Sequence, residues 1–204
     1  MCLNQRYKQC LVSLQKYWGY DAFRPGQDQA IQSVCEGQKT LVVFPTGAGK
    51  SLCYQVPAVS FEGLCLVISP LVALMEDQVK QLQDRGISAS YITSKLGFKE
   101  IEQRLVNARN GMYDLLYCAP EQLANKRFKR ELEELPLSII AIDEAHCISE
   151  WGHEFRPIYR QLAEHLSVKT GHVQWLALTA TATPEVQKDI CYMLGFDDHR
   201  TIKL

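Results

Sequence analysis

The chain has 204 residues, 47% hydrophobic and 22% charged, an ordinary globular balance that suits one large domain better than two and is ample for a buried core. Lysine plus arginine is 22 and aspartate plus glutamate is 23, so the net charge is −1 and no whole-molecule basic field attracts nucleic acid; any such contact must be local. The amino-terminal "MCLNQRYKQCLVSLQKY" is too interrupted by polar residues for a signal peptide, and no apolar run is long enough to span a bilayer. The eight cysteines form no C-x-x-C pair and several lie inside apolar runs, which predicts reduced, buried thiols and a cytoplasmic protein.

Short β-rich runs alternate with amphipathic segments. The runs are "TLVVF" (40–44), "LCLVIS" (64–69), "SASYI" (88–92), "DLLYCA" (114–119), "SIIAID" (138–143) and "VQWLALT" (173–179). Most are continuously apolar, as parallel strands covered on both faces must be. Between them, "LVALMEDQVKQLQDRG" places Leu71, Leu74, Met75, Val79 and Leu82 on one face, with Gly86 as the stop. "NKRFKRELEEL" (125–135) reads as a charged helix, with a solvated face favoured over a basic half that touches phosphate. "TPEVQKDICYMLG" has Thr183 as N-cap, Pro184 in the first turn, and Val186, Ile190 and Leu194 on a stripe ended by Gly195. The alternation predicts a mainly parallel sheet with helices on both faces.

"TLVVFPTGAGKSLCYQVPA" is strand, glycine-bearing loop and helix. Gly47 and Gly49, with Thr46 and Ala48, let backbone N–H groups face an anion at the start of the next helix. Lys50 reaches outer phosphates and the Ser51 hydroxyl suits Mg²⁺. Position 44 is Phe where the general phosphate-loop pattern has its first glycine. "LSIIAIDEAH" puts Asp143 at the carboxyl end of an apolar strand, the edge where parallel sheets bind ligands. Asp143 there suits Mg²⁺ opposite Ser51, and Glu144 suits an attacking water. His146, Cys147 and His153 offer three potential zinc ligands without a fourth Cys or His nearby, and a structural zinc site takes four. In "SEWGHEFRPIY", Trp151 and Phe155 offer flat faces for unpaired bases and Arg156 a phosphate contact. Interleaved charges favour a surface loop over a buried Trp–Phe pair, and Pro157 suits the start of a helix.

Together "YDAFRPGQDQAI" (20–31), "FPTGAGKS" (44–51), "SPLVALMEDQV" (69–79), "APEQL" (119–123), "DEAHCISEWGHEFRPIY" (143–159) and "ALTATAT" (177–183) resemble the first motor lobe of RecQ-family DNA helicases of superfamily 2, of the bacterial type. The resemblance implies a RecA-like P-loop fold over 1–204. It implies that Gln27 meets the adenine edge near Tyr20 and Arg24, that Lys50, Ser51, Asp143 and Glu144 handle ATP, Mg²⁺ and water, and that His146 relays the γ-phosphate state to Thr179 and Thr181. For Thr179 and Thr181 a cap on the helix at Pro184 is the alternative. Ser69, with Pro70, would start a helix along the DNA backbone, as a cap, a phosphate contact or both.

The parent is then expected to unwind duplex DNA 3′–5′ in repair or recombination, working as a monomer at duplex–single-strand junctions. The family's second lobe, zinc-binding and winged-helix region and C-terminal helical module are expected to be absent after Leu204, and with them the arginine finger, worth on the order of 10³–10⁵ in rate in P-loop ATPases. The isolated chain is therefore expected to turn over little ATP. Alternatives are a nucleotide- and DNA-binding module without catalysis, or an RNA helicase or duplex translocase of the same superfamily. Ala48, where the family often has glycine, is a mild departure.

Overall fold

A computed structural model describes residues 3–152, 154–166 and 173–204. Seven strands form one sheet: β1 (Lys39–Val43), β2 (Leu64–Ile68), β3 (Ala89–Ile92), β4 (Leu115–Cys118), β5 (Leu137–Ile142), β6 (Gln174–Thr179) and β7 (His199–Lys203). Their order is β3-β4-β2-β5-β6-β1-β7, and every pairing is parallel. The central strands are apolar throughout because both faces are covered: all five residues of β2 and all four of β4 are buried.

On one face lie α2 (Gln27–Cys35), α3 (Leu52–Ser60) and α4 (Val72–Asp84), burying Val34, Tyr54 and Met75 against the sheet. Helix α1 (Leu3–Trp18) packs outside α2 and α3 through Cys10 and Leu14. The other face carries α5 (Phe98–Arg109), α6 (Lys126–Glu134), α7 (Pro157–Arg160), α8 (Leu162–Leu166) and α9 (Pro184–Met193), with Leu105, Phe128, Tyr159 and Ile190 buried. Among the described residues no helix is long and apolar enough to cross a membrane. The seven described cysteines are free thiols, six of them buried.

Six strands and the α4, α6 and α9 helices fall where their periodicity places them. Thr183 caps α9 by accepting from the Val186 N–H, as its position predicts. Three differences have local causes. Strand β7 leaves no pattern in the sequence, because "HRTIK" pairs only with β1 at the sheet edge and buries Ile202 alone. The predicted face of α4 is narrower: Met75, Val79 and Leu82 are buried, but Leu71 and Leu74 stay 40% and 36% exposed at the carboxyl edge of the sheet. Ser69 does not cap α4, which begins three residues later with Leu71 at the cap position.

Candidate functional site

The strand order brings the predicted elements to one edge. β6 lies between β1 and β5, so the ends of three neighbouring strands carry the glycine loop, Thr179 and Asp143 in a row. Val43 pairs with Thr179, and the Phe44 N–H donates to Thr179 O at 3.1 Å.

The loop turns on Gly47 (φ 83°) and Gly49 (φ 77°), both left-handed and unfavourable for other residues. Among the described residues the amides of Thr46, Gly47, Gly49, Lys50 and Ser51 donate to no carbonyl, whereas Ala48 N–H closes onto Pro45 O at 3.2 Å. Unpaired amides converging at the start of α3 are an anion cradle, and they fit a nucleotide's phosphates. Lys50 Nζ folds back onto Phe44 O at 3.0 Å.

Gln27, the residue expected at the adenine edge, is bonded to the loop itself. It is 2% exposed, and its Nε2 donates to Ala48 O (3.1 Å) and Gly49 O (3.2 Å) while its Oε1 accepts from Arg24 N–H (3.0 Å). It ties the entrance of α2 to the loop. Any side chain at Gly49 would collide with the Gln27 amide. Beside this clamp a hollow of about 250 Å³ is lined by Tyr20, Arg24, Gln27, Gly47, Gly49 and Leu52. A larger hollow of about 870 Å³ opens at the opposite edge of the sheet beside Arg6, Lys39 and Gln174, where no motif lies.

At the end of β5, Asp143 is 9% exposed. Burial, then repulsion from Glu144, pushes its carboxyl up to about 6, partly offset by the Glu144 N–H bond and by Lys50. Its main chain is held on two sides: Asp143 N–H donates to Ile68 O at 2.8 Å, and the buried Tyr159 hydroxyl donates to Asp143 O at 3.2 Å. Glu144 follows in the left-handed region (φ 48°), alone among the described non-glycine residues, and its N–H donates to Asp143 Oδ1 at 3.0 Å. Such a conformation costs on the order of 1–3 kcal/mol and persists where the surroundings over-determine it.

His146 Nδ1 lies 2.9 Å from Thr179 Oγ1 and 3.3 Å from Glu144 Oε2. The Thr179 hydroxyl donates its proton to Thr181 O at 3.1 Å, so it accepts from Nδ1–H, and the Nε2 lone pair is left open. The cap on α9 is Thr183, so Thr179 and Thr181 are released from that alternative role. Thr181 takes part through its carbonyl, a detail with no signature in residue type.

The segment continues into the aromatic loop. Trp151 is 81% exposed, and Phe155 and Arg156 are half-buried, with the guanidinium donating to Pro70 O at 3.4 Å. Ser69, the residue before Pro70, has its hydroxyl buried and, among the described residues, unpartnered. Cys147 is at 0% exposure, its thiol pushed up to about 11 by burial. His153 lies outside the described residues.

A glycine-turned amide cradle and an acidic strand end on one parallel sheet define a P-loop nucleotide-binding domain. Residues 24–190 match the DEAD/DEAH box helicase family model. The chain belongs to that family. It is 48% identical over 190 residues to the ATP-dependent DNA helicase RecQ of Bacillus subtilis, covering 93% of this chain and 32% of the relative. It is 47% identical over 177 residues to the enzyme of the same name from Pasteurella multocida, covering 87% and 28%. The chain thus spans about a third of the length of the curated relatives it matches. The Mycobacterium smegmatis helicase Lhr, solved with single-stranded DNA and AMP-PNP, shares the fold at TM-score 0.69 and 20% identity, over 100% of this chain and 28% of that one. A helicase domain of this family uses nucleotide.

Proposed function

We propose that this chain is the first, ATP-binding motor lobe of a RecQ-type, ATP-dependent DNA helicase whose whole form unwinds duplex DNA 3′–5′ in cytoplasmic repair or recombination. The observation that carries the reading is the continuity of one short segment. Asp143 and Glu144 stand at the nucleotide edge, His146 is bonded to Thr179 beside them, and Trp151 projects into solvent five residues later.

In this reading the free amides of Thr46–Ser51 receive the phosphates, and Lys50 exchanges Phe44 O for a phosphate oxygen. Tyr20 and Arg24 border the base, while Gln27 keeps the cradle in shape. Ser51 and Asp143 are the oxygen donors for Mg²⁺, which when bound neutralises charge developing on the phosphate oxygens. Glu144, aimed by its left-handed backbone, orients or deprotonates the attacking water. His146, Thr179 and Thr181 report the nucleotide state. Trp151 and Phe155 stack on unpaired bases, with Arg156 and the Ser69–Pro70 turn at the backbone. The parent acts as a monomer at duplex–single-strand junctions, and a second lobe closes over the nucleotide and supplies the arginine finger. The isolated lobe turns over slowly.

Measuring ATP hydrolysis by the 204-residue chain, with and without single-stranded DNA and beside a two-lobed form, tests this. We expect nucleotide binding with little turnover, abolished in Lys50→Ala. Turnover equal to the two-lobed form would refute the need for a second lobe, and no nucleotide binding would refute the reading altogether. Preference for single-stranded RNA in a competition assay would move the chain to the RNA-acting branch.

A further inference from the structure

The loop beyond the acidic strand end doubles back on its own start. The Gly152 N–H donates to Ser149 O at 3.0 Å and the Arg156 N–H to Cys147 O at 2.9 Å. A Cβ at position 152 would stand 2.6 Å from His146 O and 3.1 Å from Ser149 O, so glycine permits the close return. That return lays Glu154 against His146 and Cys147. One ligand atom from each of the three, an imidazole nitrogen, the Cys147 sulfur and a Glu154 carboxylate oxygen, lies within 4.8 Å of the others.

We propose that His146, Cys147 and Glu154 form a site for a zinc-class divalent cation, separate from the oxygen-donor Mg²⁺ position at Ser51 and Asp143. Tetrahedral zinc, with bonds of roughly 2.0–2.3 Å, holds its ligands roughly 3.3–3.8 Å apart, so the three donors, all within 4.8 Å of one another, need at most about 1–1.5 Å of closure. Glu154 is exposed and free to supply it. The imidazole is already prepared. Its Nδ1 is committed to Thr179 Oγ1, which fixes the ring and leaves Nε2 as the donor, the arrangement that orients metal-binding histidines. Sulfur and nitrogen donors select zinc-class ions over Mg²⁺, and three protein ligands leave a position for water. Glu154 and His146 flank Trp151 in sequence, so an ion here ties the aromatic loop to the acidic strand end and weakens its grip on single-stranded DNA. The site rests on the three donors alone; that consequence rests on the DNA-binding role proposed above.

The test is a cobalt(II) titration of the full chain, read by thiolate-to-cobalt charge-transfer absorption and reversed by zinc. We expect a band in wild type that is absent in Cys147→Ala and an affinity at least about tenfold weaker in Glu154→Gln. Circular dichroism verifies that both variants fold, and exposed Glu154 serves as the measure should Cys147→Ala unfold. An unchanged band in Cys147→Ala, an unchanged affinity in Glu154→Gln, or no cobalt binding by wild type would overturn the site. Zinc is also expected to weaken binding of single-stranded DNA by wild type but not by Glu154→Gln. Metal binding with unaltered DNA affinity would overturn the tethering. A wild-type chain that binds cobalt but no DNA would refute the DNA reading and leave the metal site standing.

Discussion

Asp143→Asn should stabilise the unliganded protein while removing its use for Mg²⁺. The Asp143 carboxyl titrates at about 6, against 3.8 for an unhindered group, because it is buried beside Glu144. At about 1.4 kcal/mol per tenfold change in proton affinity, that difference is worth roughly 3 kcal/mol. The folded state holds this proton more tightly than the unfolded chain. Stability from this residue is therefore full below pH 3.8 and is lost as pH rises through about 6. Asparagine keeps an acceptor for the Glu144 N–H and carries no charge, although it forgoes the attraction to Lys50. The expected gain at pH 8 is therefore about 2 kcal/mol, or roughly 4–8 °C in melting temperature for a domain of this size. At pH 4 the gain should nearly vanish. With Mg²⁺ and nucleotide at 100 times the dissociation constant, wild type should gain about 2.7 kcal/mol and the variant much less, which reverses their order. Denaturant titrations at pH 4 and pH 8 measure this. A variant no more stable than wild type at pH 8, or equally stabilised at both pH values, would refute the reasoning.

Gln27→Ala removes three hydrogen bonds and leaves the Arg24 amide and two loop carbonyls seeking partners; we expect a loss of about 1–3 kcal/mol in urea unfolding together with weaker nucleotide binding. Trp151→Ala should alter stability by less than about 0.5 kcal/mol, because the side chain is 81% exposed. It should weaken binding of single-stranded DNA by about 1–3 kcal/mol in a fluorescence anisotropy titration. Ile140→Ala, in the fully buried middle of β5, should cost about 2–5 kcal/mol by urea midpoint with an unchanged slope.

The layered sheet was legible because continuous apolar runs and 3.6-residue stripes are direct consequences of two-sided and one-sided burial. The glycine loop and Asp143 were legible because backbone chirality and strand direction limit where such residues serve. β7 was hidden by being an edge: one buried side chain in five leaves no pattern. The clamp by Gln27 was hidden because it joins residues 21 and 22 positions apart through backbone carbonyls, which carry no residue signature. The same holds for the hydroxyl chain from His146 through Thr179 to the Thr181 carbonyl. Glu144 gave no warning of its left-handed backbone, since glutamate is no turn former. The three donors at 146, 147 and 154 were half visible: His146 and Cys147 stand out as ligand types, whereas Glu154 joins them only through the return at Gly152.

The proposed function requires that nucleotide and DNA be coupled through the His146–Thr179 bond. The most direct measurement is the affinity of the chain for single-stranded DNA with and without Mg²⁺ and a non-hydrolysable ATP analogue, in wild type and Thr179→Val. Valine keeps the shape at this buried position and removes the hydroxyl that receives Nδ1–H. We expect at least about a fivefold change with nucleotide in wild type, collapsing towards unity in the variant while each ligand alone still binds. Equal DNA affinity with and without nucleotide in wild type, or a full nucleotide effect in Thr179→Val, would contradict it.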